Sequence, residues 1–253
     1  VIGAIGIALL KLGAYLKLAL PFAKTGISMV IMIWFYSRIW GWPFAVGFVV
    51  LILIHETGHL LVAKAFGLPV SAPIFIPFMG AFIALKNAPK NAWMEACVGI
   101  GGPALGTLGA FACAGLYPLT GNPLYLAIAY SGCFLNLFNL IPITPLDGGR
   151  IAAAISPWLW AVGVIILGVA LWIGWLQINF VLVMILILCG IRVFKLFRGQ
   201  PDQNASYFTV SLPRRCLMAA MYVGLAALLV FGMTLTRVEP QNKAEQFSLA
   251  SSR

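Results

Sequence analysis

GFVVLILIHETGHLLVAKAF, residues 47–66, decides how this chain is read. Its twenty residues match the length needed to cross the hydrocarbon core of a bilayer, and all but a few are apolar. Yet its middle holds His55-Glu56-Thr57-Gly58-His59. Glu56 is the only formal charge between Arg38 and Lys64, and the two histidines are the only ones in the chain. An ionisable group at bilayer depth costs about 2.5–3.5 kcal/mol to insert, so such a cluster calls for a functional partner.

The rest of the sequence supports the membrane reading. Of 253 residues, 62% are apolar and 9% charged, against roughly 25% charged in a soluble domain. So few charges cannot cover a water-exposed surface. A soluble enzyme, a disordered tail and a disulfide-stapled secreted domain are excluded. The net charge of +10 reads as basic residues at membrane edges facing anionic lipid. No run of Arg or Lys with interleaved aromatics points to nucleic acid.

Charge-free stretches at 96–146, 151–191 and 216–236, broken at Pro- and Asn-containing turns, divide into spans. Seven result, at about 25–40, 43–66, 93–117, 123–141, 151–173, 177–196 and 216–236. Lys11, Lys17 and Lys24 recur at helical spacing, so about 4–20, within an N-terminal segment 1–24, reads as an amphipathic helix on the membrane surface. If that segment also crosses, the N-terminus changes side but the core does not. With the N-terminus inside, 12 of the 16 basic residues are cytoplasmic, the distribution expected of a multi-pass protein of a cytoplasmic membrane. The chain is expected to be a single membrane domain over 1–253. It has a core at 41–150, further helices and a tail at 151–253, and no polar stretch long enough for a soluble domain.

His55 and His59 are four apart on a helix, about 40° apart in azimuth and one turn apart in height, so both imidazoles reach one ion. Glu56, rotated about 100°, points beside the ion, where a general base stands. A catalytic zinc takes three protein ligands and leaves one position open. Two acids remain as candidates for the third. Glu95, at the start of its span, reads as an interfacial charge. Asp147 is better placed, in Asn139-Leu-Ile-Pro142-Ile-Thr-Pro145-Leu-Asp147-Gly-Gly-Arg150. There two prolines end a helix and two glycines permit a sharp turn. Broken helix at membrane depth is tolerated only inside protein or beside a wet cavity.

These two motifs, in this order and separation, resemble the site-2 protease family of intramembrane zinc metalloproteases over roughly Gly41–Arg150. The second is similar to that family's N-x-x-P-x-x-x-L-D-G pattern. The resemblance implies one Zn²⁺ held by His55, His59 and Asp147, with Glu56 as general base and Asn139 holding the substrate or polarising its carbonyl. The implied fold is an all-α polytopic membrane protein of about six to seven transmembrane helices. Residues 70–85 then form a short membrane-associated β-hairpin with an open edge; read alone, they serve equally as a lipid-surface loop. The implied activity is hydrolysis of a peptide bond in or near a transmembrane segment of another membrane protein, within the lipid bilayer and toward the cytoplasm. A regulatory membrane partner would control access.

Two other readings compete. A CAAX-processing type of membrane zincin needs a downstream Glu ligand, and only Glu95 and Asp147 lie between residues 57 and 201. A non-catalytic metal-binding membrane protein or transporter shares broken helices and midplane polar groups, but the chain has no repeated half. Gly102 and Gly106 read as close helix packing. The five cysteines, without C-x-x-C spacing, read as packing residues.

Overall fold

The structure is a computed structural model that describes residues 20, 23–85, 87–174, 180–199 and 205–237. The expected amphipathic helix over 4–20 lies almost wholly outside the described residues, as does the tail beyond 237.

The described chain is mostly helical. Helix α1 covers residues 23–40 and turns at Gly41, whose φ of +83° a side chain would resist, directly into α2 (Trp42–Ala65). After β1 (Ile74–Ile76) and β2 (Gly80–Phe82) come α3 (Ala92–Thr120) and α4 (Leu124–Asn139). Then follow α5 (Asp147–Ile155), α6 (Leu159–Trp172), α7 (Phe180–Phe197), a 3-10 turn (Ala205–Phe208) and α8 (Leu212–Thr236). Helix α3 is the hub: α2, α4 and α5 all pack extensively on it, and α8 braces α4. Its start is fixed by Asn91, whose side chain accepts from Met94 N at 2.9 Å.

Among the described residues α2, α3 and α8 are long and apolar enough to cross a membrane, while α4 and α6 are apolar but shorter. Large apolar side chains such as Ile165, Trp172 and Val223 stand exposed. A surface of that kind belongs against lipid and not water. This is a membrane protein.

The helix expected over 151–173 is corrected by the structure. It is two elements, α5 and α6, separated at Ser156–Trp158. Pro157 forces the residue before it out of the helical region, and Ser156 takes φ −164°, ψ 124°. The absence of charge concealed this break. Helix α5 is short and begins at Asp147, so it serves the site more than it spans.

Residues 70–85 form the hairpin and not a structureless loop. The strands pair antiparallel, Ile74 with Phe82, Phe75 with Ala81 and Ile76 with Gly80. Three hydrogen bonds tie the β1 side to α1: Thr25 Oγ1 to Pro73 O at 2.7 Å, Phe75 N to Ser28 Oγ at 3.1 Å and Phe78 N to Tyr36 Oη at 3.2 Å. Since Phe75 N–H points outward to α1, the alternation of an antiparallel ladder turns the amide of Ala81, its partner, toward the opposite, outer edge of β2.

Candidate metal centre

The site is built where α2 and α3 meet backbone to backbone. A Cβ placed on Gly58 would fall less than 3.0 Å from Gly101 O, so any larger residue would force the helices apart. This approach lays His59 against α3. Its Nδ1 donates to Val98 O at 2.7 Å, and a Cβ at Gly102 would collide with its ring. Gly106 likewise leaves room for the Asn136 amide. These two glycines therefore do more than pack helices: each opens a slot for one polar side chain.

Asn136, buried on α4, holds the other histidine. Its Nδ2 donates to Gly132 O at 2.7 Å, which fixes the amide orientation and leaves Oδ1 to accept from His55 Nδ1 at 2.7 Å. Both Nδ1 atoms thus face oxygens that can only accept. Both imidazoles, when neutral, present an unprotonated Nε2 to the interior.

Asp147 arrives from the other motif, at the first position of α5. Gly148 and Gly149 pack so closely on the 140–144 backbone that a Cβ at either would overlap it. Trp160 Nε1 donates to Gly149 O at 2.9 Å, and the Tyr222 hydroxyl donates to Leu140 O. These bonds hold the loop from two sides. The result is a triangle: His55 Nε2 to His59 Nε2 at 3.1 Å, His55 Nε2 to Asp147 Oδ2 at 3.2 Å and His59 Nε2 to Asp147 Oδ2 at 3.1 Å. All three residues are buried.

Three lone pairs facing one another at these distances repel unless a cation lies among them. Two neutral imidazole nitrogens and a carboxylate oxygen are a donor set that zinc accepts, and each histidine has the outer hydrogen bond that orients a metal ligand. The residues therefore fit a metal ion.

Glu56 is buried beside them. With the triad it lines a cavity of about 530 Å³ whose other walls include Asn139, residues 80–82 of β2 and Leu188 of α7. Asn139 faces this cavity but hydrogen-bonds back to Leu135 O at 3.2 Å; among the described residues it makes no hydrogen bond to the triad. Glu95 stands outside the donor cluster, its Oε2 accepting from the Tyr207 hydroxyl at 2.6 Å. The cysteines are free; Cys133 and Cys189 are buried as expected, but Cys216 is exposed on α8.

Sequence reading missed Asn136, Trp160 and Tyr222. Asn136 carries no charge, so a search for charges passed over it. Its signal was an amide in an otherwise mainly apolar helix, three residues before Asn139.

Residues 43–124 match the sequence profile of peptidase family M50. The chain belongs to this family, that of the site-2 proteases. An alignment at 32% identity over 124 residues pairs 47% of this M50 chain with 35% of a zinc metalloprotease of Methanocaldococcus jannaschii. A second, at 32% over 126 residues, pairs 46% of it with 33% of a Synechocystis sp. protein whose name assigns it provisionally to the zinc metalloproteases. The matched region is thus about a third of each relative's length.

Proposed function

We propose that this chain is a zinc metalloendopeptidase that hydrolyses a peptide bond in or near the transmembrane segment of a membrane-protein substrate. The observation that carries the reading is the convergence of His55 Nε2, His59 Nε2 and Asp147 Oδ2 within 3.2 Å of one another, beside a buried glutamate and an open cavity. His55, His59 and Asp147 hold the ion. Zinc bound there supplies Lewis acidity, acidifying water and polarising a carbonyl.

The chain's own groups do the rest. The Glu56 carboxylate takes the proton of the attacking water and returns it to the leaving nitrogen. The Asn139 amide, which faces the cavity, donates to the substrate carbonyl and steadies the oxyanion. Substrate must be extended, because helical amides are already bonded. The outward amide of Ala81 on β2 offers it a strand to pair with. The lysines and arginines gathered at one end of the helices put the site toward the cytoplasm of a multi-pass protein.

The test is zinc content and cleavage of a membrane-embedded peptide by the full chain and by Glu56→Gln. The expected result is that both hold zinc and only the unaltered chain cleaves. A Glu56→Gln variant of full activity, or an unaltered chain that holds zinc and cleaves none of a panel of transmembrane peptides, would favour a non-catalytic metal-binding role.

A further inference from the structure

A second, smaller cavity of about 60 Å³ lies behind the Asp147 loop, between the first turn of α3, α5, α6, α7 and the 3-10 turn. That volume holds roughly four water-sized positions, or one tetrahedral oxyanion. Its walls include Glu95, Thr144, Arg150, Trp160, Arg192 and Tyr207. Arg150 lines this cavity and the larger one, so the two share a wall.

Three independent features mark it as built for an anion. First, Thr144 is only 9% exposed, and its hydroxyl is buried with no hydrogen-bond partner. A buried polar atom left unpaired is costly, and a ligand oxygen would satisfy it. Second, two guanidinium groups face the space and both are oriented. Arg192 lies over the Trp160 ring at 5.7 Å, and that ring is itself fixed by its bond to Gly149 O. Arg150 Nη1 is 3.8 Å from Asp147 Oδ1, too far for a hydrogen bond, so its donors are not consumed there. Third, the opposing charge is already engaged: Glu95 Oε2 accepts from Tyr207 at 2.6 Å. Outside the cavity the outer face of α7 is apolar, with Ile191, Phe194 and Phe197 exposed, so an acyl chain could lie beside the anion. Basic pockets between membrane helices take phosphate headgroups by this chemistry.

We propose that this cavity is a phosphate site, with Arg150 and Arg192 supplying charge and Thr144 a neutral hydrogen bond, occupied by the headgroup of an anionic phospholipid. The site does not depend on the hydrolytic reading.

The test is native mass spectrometry of the full chain from nanodiscs of phosphatidylcholine, of phosphatidylcholine with phosphatidylglycerol, and of phosphatidylcholine with added inorganic phosphate. Retention of one phosphatidylglycerol is expected, weakened about fivefold in Arg192→Ala and about as much in Thr144→Val. Glu95→Gln should strengthen it by removing the opposing charge, a gain that loss of folding cannot mimic. Arg198→Ala, on the same helix end but outside the cavity, should leave it unchanged. Binding of inorganic phosphate with the same variant pattern, and without phosphatidylglycerol retention, supports the site and assigns a free anion as its occupant. The proposal is overturned if neither probe binds, or if Arg198→Ala weakens retention as much as Arg192→Ala, which would mark general attraction to a basic surface.

Discussion

Replacing Asn136 with alanine tests the metal centre through a residue that touches neither ion nor substrate. The change removes the oxygen that accepts from His55 Nδ1 at 2.7 Å. Two responses are open to the imidazole. It keeps its Nδ1 proton and leaves a buried donor unpaired, at a cost of about 1–3 kcal/mol. Otherwise it moves the proton to Nε2, where it points at His59 Nε2 and Asp147 Oδ2, 3.1 and 3.2 Å away, and blocks the lone pair a metal needs. Either way zinc binding weakens. The cost corresponds to roughly 5- to 150-fold, in line with the 10–100-fold that loss of a ligand's outer partner produces. The assay is competition of the purified full chain against a fluorescent zinc chelator at neutral pH, with a thermal melt of the metal-free protein as control. Asn136→Asp retains an acceptor and should bind zinc near the level of the unaltered chain. Asn139→Ala should do the same, because Asn139 bonds within its own helix. If Asn136→Ala holds zinc within about twofold of the unaltered chain, the assignment of the His55 tautomer is wrong.

Gly102→Ala places a methyl group against the His59 ring, which Val98 O already holds from its other side, so zinc content should fall to background while helical content by circular dichroism is kept. Ala81→Pro removes the outward amide of β2 without touching a ladder bond; kcat/KM for a transmembrane peptide should fall about tenfold with zinc content unchanged, and unaltered cleavage would remove β2 from substrate capture. Tyr207 lies outside the helices, and its phenol is held above the ordinary tyrosine range, first by burial and then by its bond to Glu95. Because its folded value is the higher one, its contribution to stability is complete below about pH 10 and is lost only as pH rises through that folded value. Tyrosinate absorbance should therefore show Tyr207, identified by difference from Tyr207→Phe, ionising after exposed tyrosines; ionisation together with them would mean that the phenol is not docked on Glu95.

How much of this could be read in advance depended on charge. In a chain with 9% charged residues, His55, Glu56, His59 and Asp147 stood out because each is costly in lipid. The structure brings three of them within 3.2 Å and puts the fourth in the adjoining cavity. What charge does not mark was not legible. The break at Ser156–Trp158 depends on one proline inside an apolar run. The hairpin depends on pairing between residues 74–76 and 80–82, whose short apolar pattern serves a loop equally well. Trp160 and Tyr222 reach the Asp147 loop from α6 and α8. Nothing in their local sequence tells that their polar tips turn inward.

The concealment of Asn136 also has a physical cause. In a bilayer every unneutralised charge adds to the insertion cost, so the outer partners of the histidines are neutral ones: a peptide carbonyl at Val98 and an amide at Asn136. The triad then contributes a single negative charge, from Asp147. A divalent ion brings the cluster to +1, and Glu56, ionised, brings it to zero. A carboxylate in place of the amide would orient His55 as well but leave the loaded site with a net negative charge. Asn136→Asp should therefore separate the two requirements, keeping zinc affinity while lowering the melting temperature of the metal-free chain. A variant as stable as the parent without metal would show that the site is wet enough to screen an added charge, and that neutrality was not what selected the amide.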